Sequence, residues 1–226
     1  MVNKLAGITP EELISRYPKL YHMAEADTWD SIREHGLLST SALLDLFEVK
    51  GAQRYAIESE HRPNSIPVSH PIYGIAVIRD QKPMSDSGLL RCLRDVTPRE
   101  WYETLNRRVF FWLTKKRLLT LLNAKPYRGQ KHCVLTIDTA SMLERHLNEI
   151  TLAPLNSGCT KPYPHPRGSD TFFSLPDYPY ESRRKKGDYS AIVELTVDYK
   201  VPDIEDLTIK VEHMIGDIAL ETLFER

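Results

Sequence analysis

The sequence predicts an α+β fold in a single domain spanning 1–226. Helix-start signatures crowd its first half, short β-rich runs crowd its second, and no internal repeat divides it. The first helix begins at Thr9, which can cap, with Pro10 at the first helical position and Glu12 three residues on. Lys19 to Met23 then alternates as a short strand. Asp27 or Thr28 caps a helix closed by Gly36, and a further helix runs from Thr40 to Phe47. Ile72 to Arg79 reads as a strand between Pro71 and Pro83. Thr97-Pro98-Arg99-Glu100 combines an N-cap, a first-turn proline and a third-position glutamate, and starts a helix that reaches Asn106. Strands are expected at Arg108–Leu113, His132–Asp138 and Ile150–Ala153, with helices at Lys115–Ala124 and Thr139–Leu147 between them. Tyr189–Lys200 and Leu207–His213 complete the pattern as two strands separated by Pro202. The one long irregular loop lies around Pro162 to Pro179, where five prolines fall among Tyr, Arg, Gly and Ser.

Composition narrows the function classes. Charged residues make up 27% and hydrophobic residues 41% of the 226, which excludes a disordered chain, and no apolar run approaches the roughly 20 residues that cross a bilayer. The opening segment has no apolar signal core, so a cytoplasmic location is expected. Cys92, Cys133 and Cys159 are odd in number and far apart, and read as free thiols. The formal charge is -1, from 30 Lys and Arg against 31 Asp and Glu, yet the charges are segregated. Basic residues gather at Arg107-Arg108, Lys115 to Arg117 and Arg183 to Lys186, and acids gather from Asp198 to Glu225. A neutral sum therefore leaves room for a positive face.

The common chemical motifs are absent. None of the eight histidines has HxxxH or HExxH spacing, so no metal is expected, and there is no GxGxxG, Walker loop or GxSxG elbow. Two polar residues stand out instead. In Ser190 to Val197, strand alternation puts Val193, Leu195 and Val197 on one face and Glu194 on the other, alone among apolar neighbours. A carboxylate there either faces solvent on a half-exposed strand or faces a cleft, where it can serve as a general base or cation stabiliser. His22 ends the first short strand, and is either a structural hydrogen-bonding group or a cleft residue.

Three runs carry a resemblance. Leu20-Tyr21-His22-Met23 leads to Trp29 through Leu38, Arg108-Val109-Phe110-Phe111-Trp112-Leu113 leads to Arg117-Leu118-Leu119, and Ala191 to Val197 leads to Val201-Pro202. In order and rough spacing they resemble the first strand and helix, the aromatic strand and the glutamate strand of DarT-like ADP-ribosyltransferases. The resemblance implies a split β-sheet core, with helices mainly in the N-terminal half. It implies NAD as co-substrate and transfer of ADP-ribose to a nucleic acid base or, less often, a protein. It also implies a toxin or phage-defence setting, with an antitoxin or regulatory partner and no membrane. By the same resemblance Glu194 is the catalytic carboxylate and Arg54 or Arg62 the active-site arginine. His22 would hydrogen-bond NAD, and Tyr21, Tyr73 or Phe111 would stack on it. Arg167, Tyr163, Arg183 and Arg184 would meet the acceptor. The alternatives are a module of the same fold that binds a nucleotide or partner without transfer, and an NAD glycohydrolase.

Overall fold

The computed structural model describes residues 7–226; residues 1–6, part of the opening read as lacking a signal core, lie outside them. The strands are β1 Lys19–Glu25, β2 Leu37–Leu38, β3 Ile66–His70, β4 Gly74–Ile78, β5 Arg108–Trp112, β6 His132–Asp138, β7 Ile150–Ala153, β8 Glu194–Asp198, β9 Lys200–Val201, β10 Thr208–Ile215 and β11 Ile218–Glu225. The helices are α1 Pro10–Arg16, α2 Trp29–His35, α3 Thr40–Leu46, α4 Gly51–Glu58, α5 Asp86–Leu90, α6 Pro98–Asn106, α7 Lys115–Leu122, α8 Thr139–His146, α9 Tyr180–Arg183, α10 Asp188–Ala191 and α11 Ile204–Leu207. The class is α+β. Among the described residues six α-helices lie before residue 113 and five after it, and three of the later five are four-residue turns, so the longer helices lie mainly in the N-terminal half as expected.

Seven strands form one antiparallel sheet in the order β11-β10-β6-β1-β5-β8-β7. Its central feature is a parting. β1 pairs with β6 through seven residues, from Lys19↔Asp138 to Glu25↔His132, but meets β5 through one, Tyr21↔Trp112. Beyond that pair the two strands diverge, leaving a four-strand wing and a three-strand wing. Period-two alternation sets what each face does. Leu20, Ala24, Val109, Phe111, Leu195 and Val197 pack one face against α1, α2, α8 and α11 in the main core. On the opposite face Met23, Val134 and Met214 pack under Leu118 and Leu122 of α7. Two smaller apolar clusters flank the parting. One joins α3 and α4 to the β3–β4 hairpin, and the other joins α5 to α6.

Two expected helix starts follow their capping chemistry, whereas Thr28 precedes α2 without a side-chain capping bond and its hydroxyl donates to the Glu25 carbonyl at 2.7 Å instead. Thr9 and Thr97 both make reciprocal capping boxes, with Glu12 and Glu100 respectively. At α6 the Glu100 amide donates to Thr97 Oγ1 at 3.2 Å, and the Thr97 amide donates to Glu100 Oε2 at 2.7 Å. Thr97→Ala is expected to cost about 1 kcal/mol of stability, read from urea unfolding.

Other expectations change. The strand expected at Ile72–Arg79 is shorter, Gly74–Ile78, and is one arm of a hairpin with β3. Tyr189–Lys200 is not one strand, since Asp188–Ala191 is a helical turn and the ladder begins at Glu194. Arg117 fastens that turn by donating from Nε at 2.9 Å and Nη2 at 2.6 Å to the Tyr189 carbonyl. β11 and α4 had no counterpart in the sequence reading. β11 is an edge strand exposed along most of its length, so its alternation does not separate apolar from polar residues. No described helix is long and apolar enough to cross a membrane.

Candidate active site at the parted sheet

Where β1 and β5 diverge, the fold opens into two joined cavities. The smaller, about 280 Å³, is bordered by Glu194, Trp112, Ser157, Tyr127 and Asp80. The larger, about 350 Å³, is mainly apolar and is bordered by Ile32, Leu43, Phe47 and Ile75. His22, Met23, Thr40, Arg79, Arg108 and Phe110 border both and form the waist between them.

Glu194 opens β8 between Trp112 of β5 and Ala153 of β7, so both neighbours shield its stem. It is 3% exposed, although it borders the smaller cavity. Its carboxylate accepts the Ser157 amide on Oε1 at 3.3 Å and Oε2 at 3.1 Å. Burial pushes its carboxyl up from the ordinary 4.5 to about 7, against the opposing pull of Ser157, Arg167 and Arg117. A group poised there changes charge near neutrality, as a general base must.

His22 lies at the parting itself. Beyond Tyr21↔Trp112 the β1–β5 ladder stops, and the His22 ring takes its place: Nδ1 is 2.8 Å from the Phe110 carbonyl. A carbonyl oxygen only accepts, so Nδ1 carries the proton and Nε2 keeps its lone pair. Burial pulls the imidazole down to about 4; the Phe110 bond opposes this and the Arg79 charge adds to it. Neutral His22 therefore offers an acceptor suited to a hydroxyl.

The other expected site residues are distributed differently. Arg54 lies outside the cleft, ion-paired with Asp45 and with Glu58 at 2.7 Å along α4. Arg62 borders the smaller cavity but is 4% exposed, and its guanidinium donates to the carbonyls of Arg79 and Ile57 and to Asn106 Oδ1. It is a brace beneath the site; burial lowers its pKa to about 10. Phe111 is 1% exposed in the main core, because β5 alternation turns Phe110 and Trp112 to the cleft instead. Tyr21 packs beside α7 with Met23 and Trp112. Tyr73 stacks on His70 at 4.7 Å at the hairpin end, with His35 at 5.2 Å, and borders neither cavity.

The expected acceptor residues are mostly structural. Arg167 is fully buried and donates to the carbonyls of His165 at 3.0 Å, Ser157 at 2.7 Å and Cys159 at 2.8 Å. Arg183 donates to the carbonyls of Ala191, Ser190 and Pro154. Arg184 pairs with Glu181 at 2.8 Å on the surface, and Tyr163 is 78% exposed. Tyr178 and Tyr180 are buried, and Phe172 packs between Trp101 and Phe110. The long loop is thus largely packed against the domain.

Sequence reasoning did not single out Arg79, Trp112, Ser157, Asp80 or Tyr127. A third cavity, about 430 Å³, shares Trp112, Tyr127 and Asn156 with the smaller one. Lys82, Arg117 and Lys161 border it together with Tyr189, and no Asp or Glu does. Among the described residues no group of three or more His, Cys, Asp or Glu could hold a metal ion.

The fold and cleft define an α+β protein with a buried carboxylate at a parted antiparallel sheet. The chain belongs to the family of unknown function DUF7002, whose model matches residues 18–208. That span runs from the residue before β1 to the first residue of β10, and contains both His22 and Glu194. Comparison with curated proteins gives no match.

Proposed function

We propose that the protein is a mono-ADP-ribosyltransferase that consumes NAD and modifies a nucleic acid base. The observation that carries this reading is the buried Glu194 carboxylate at a cavity whose waist holds neutral His22. Breaking the bond between C1′ of the ribose and the nicotinamide nitrogen sends the electron pair to nicotinamide and leaves positive charge on the ribose. A carboxylate in a site of low dielectric stabilises that charge more strongly than one in water. The acceptor then bonds to C1′ and its proton passes to Glu194. His22 Nε2 accepts a ribose hydroxyl. The resemblance of the three sequence runs to DarT-like enzymes points the same way.

The adjoining cavity favours a base as acceptor. Trp112, Tyr127 and Tyr189 supply faces for stacking, while Lys82, Arg117 and Lys161 supply charge for a phosphate backbone.

Purified protein incubated with NAD and single-stranded DNA or RNA is expected to release nicotinamide and add the mass of one ADP-ribose to the nucleic acid. Because Glu194 acts as the anion, the rate is expected to rise with pH to a plateau above about 7. Nicotinamide release without any labelled macromolecule would make the protein a glycohydrolase. NAD binding without release would make it a binding module, and neither binding nor release would refute the NAD reading.

A further inference from the structure

We propose that Arg79 and Arg108, at the waist of the cleft, seat the diphosphate of a dinucleotide, and that Glu25 holds Arg79 in place until that diphosphate displaces it. The choice of NAD as the dinucleotide rests on the transferase reading; the diphosphate seat is argued from the waist alone.

A dinucleotide is two nucleoside halves joined by a diphosphate, and the cleft has the same plan. Its two cavities, about 350 and 280 Å³, meet where both arginines border both of them. Each arginine is fixed in a way that leaves donors for a ligand. Arg108 Nη1 donates to the Thr104 carbonyl at 2.6 Å, and its guanidinium lies 4.4 Å from the centre of the Phe172 ring. That bond uses one of the five N–H donors of a guanidinium. Arg79 follows β4 and lies 5.2 Å from the Tyr127 ring centre, with Nη1 donating to the Met23 carbonyl at 3.3 Å. Its backbone is held from below, where Arg62 Nε donates to the Arg79 carbonyl at 3.2 Å. The buried arginine thus positions the half-buried one.

Besides Glu194, three carboxylates border the cleft, and they differ in their engagements. Asp80 accepts the Tyr127 hydroxyl at 2.9 Å and pairs with Lys82 at 3.3 Å. Asp27 pairs with Lys131 at 2.9 Å and faces His213 at 3.3 Å. Glu25 alone of the three pairs with a waist arginine, its Oε1 lying 3.5 Å from Arg79 Nε. This long contact is weaker than the short bidentate bonds that a guanidinium makes to phosphate oxygens. A diphosphate therefore wins Arg79 from Glu25. The half next to Glu194 is then the one that reacts, and the other half occupies the larger of the two cavities.

The test is calorimetric titration of the full chain with ADP-ribose and ADP, neither of which can donate ADP-ribose by releasing nicotinamide. Wild type is expected to bind both. Arg79→Gln and Arg108→Gln are expected to weaken each by about tenfold or more, whereas Glu25→Gln tightens both by about three- to tenfold. Should an arginine variant fail to fold, the Glu25→Gln gain still decides. No binding of either ligand to wild type, unchanged affinity in folded arginine variants, or no gain in Glu25→Gln would overturn the seat. The two readings separate cleanly: Arg79-dependent ADP binding without nicotinamide release rejects the transferase and keeps the seat, and release that is indifferent to Arg79 and Arg108 does the reverse.

Discussion

Glu194→Gln is expected to lower NAD-dependent nicotinamide release by about a thousandfold while making the protein more stable at pH 8. The first effect follows from deleting the charge that faces the developing cation and the base that takes the acceptor's proton, since each such contribution is typically about a hundredfold or more. The second follows from linkage. Folding raises the Glu194 pKa from 4.5 to about 7, so the folded state favours the protonated form. Its contribution is full below pH 4.5 and is lost as pH rises through 7. Glutamine mimics the protonated form at every pH, so the variant matches wild type near pH 4.5. Above pH 7 it exceeds wild type by up to about 3 kcal/mol. His22 has the opposite sign: its pKa falls to about 4, so its contribution is present above 6.5 and is lost as pH falls toward 4. In wild type the two slopes largely offset between pH 4.5 and 6.5, and Glu194→Gln is expected to uncover the His22 slope. Urea unfolding across pH 4 to 8, alongside nicotinamide assays, reads both effects. A variant that keeps wild-type release would remove Glu194 from the chemistry, and one that is less stable at pH 8 would mean the carboxylate is not strained by burial.

What the sequence made legible depended on whether local chemistry decided it. Thr9 and Thr97 start helices because their caps are satisfied within four residues, and His132–Asp138 and Ile150–Ala153 match the expected strands end to end. Glu194 could be singled out because a charge alternating with Leu195 and Val197 breaks an apolar pattern, although only the tertiary fold decides between cleft and solvent. The parting of the sheet was not legible from pattern, since it depends on β1 leaving β5 after a single pair. On β5, alternation alone separates core from cleft. Val109 and Phe111 share a parity with the core, so Trp112 and Arg108, on the other parity, were the residues to choose for the cleft. The arginine needed a different signal. Arg54 and Arg62 lie near each other in sequence, but the chain turns Arg54 to acidic neighbours and buries Arg62 among carbonyls, and Arg79 at the end of β4 is brought to the waist by the hairpin. The long loop follows the same rule: Arg167, expected at the acceptor, is buried there, and Tyr178, Tyr180 and Phe172 pack the loop down.

Arg167→Met carries the largest expected loss of stability, about 3–5 kcal/mol in urea unfolding. Arg167 is fully buried, and its guanidinium gathers the carbonyls of Ser157, Cys159 and His165 from a single loop. Methionine fills much of the same volume and supplies no donor, so three carbonyls lose their partner, each a cost of about 1–3 kcal/mol before the loop relaxes. Lysine does not substitute, because one ammonium on a flexible stem cannot span three carbonyls that a planar fork reaches together. The consequence extends to Glu194. Ser157 is both the acceptor of the shortest of these bonds and the donor of the amide that holds the carboxylate. The Arg167 charge and that amide both pull the Glu194 pKa down against burial. Their loss raises it further, and the pH at which nicotinamide release reaches half its plateau is expected to move above 7 in Arg167→Met. A loop brace with no part in tuning the site would lower stability and leave that midpoint where it is in wild type. A shifted midpoint places Arg167 as the positioning residue through which the loop sets the charge state of Glu194.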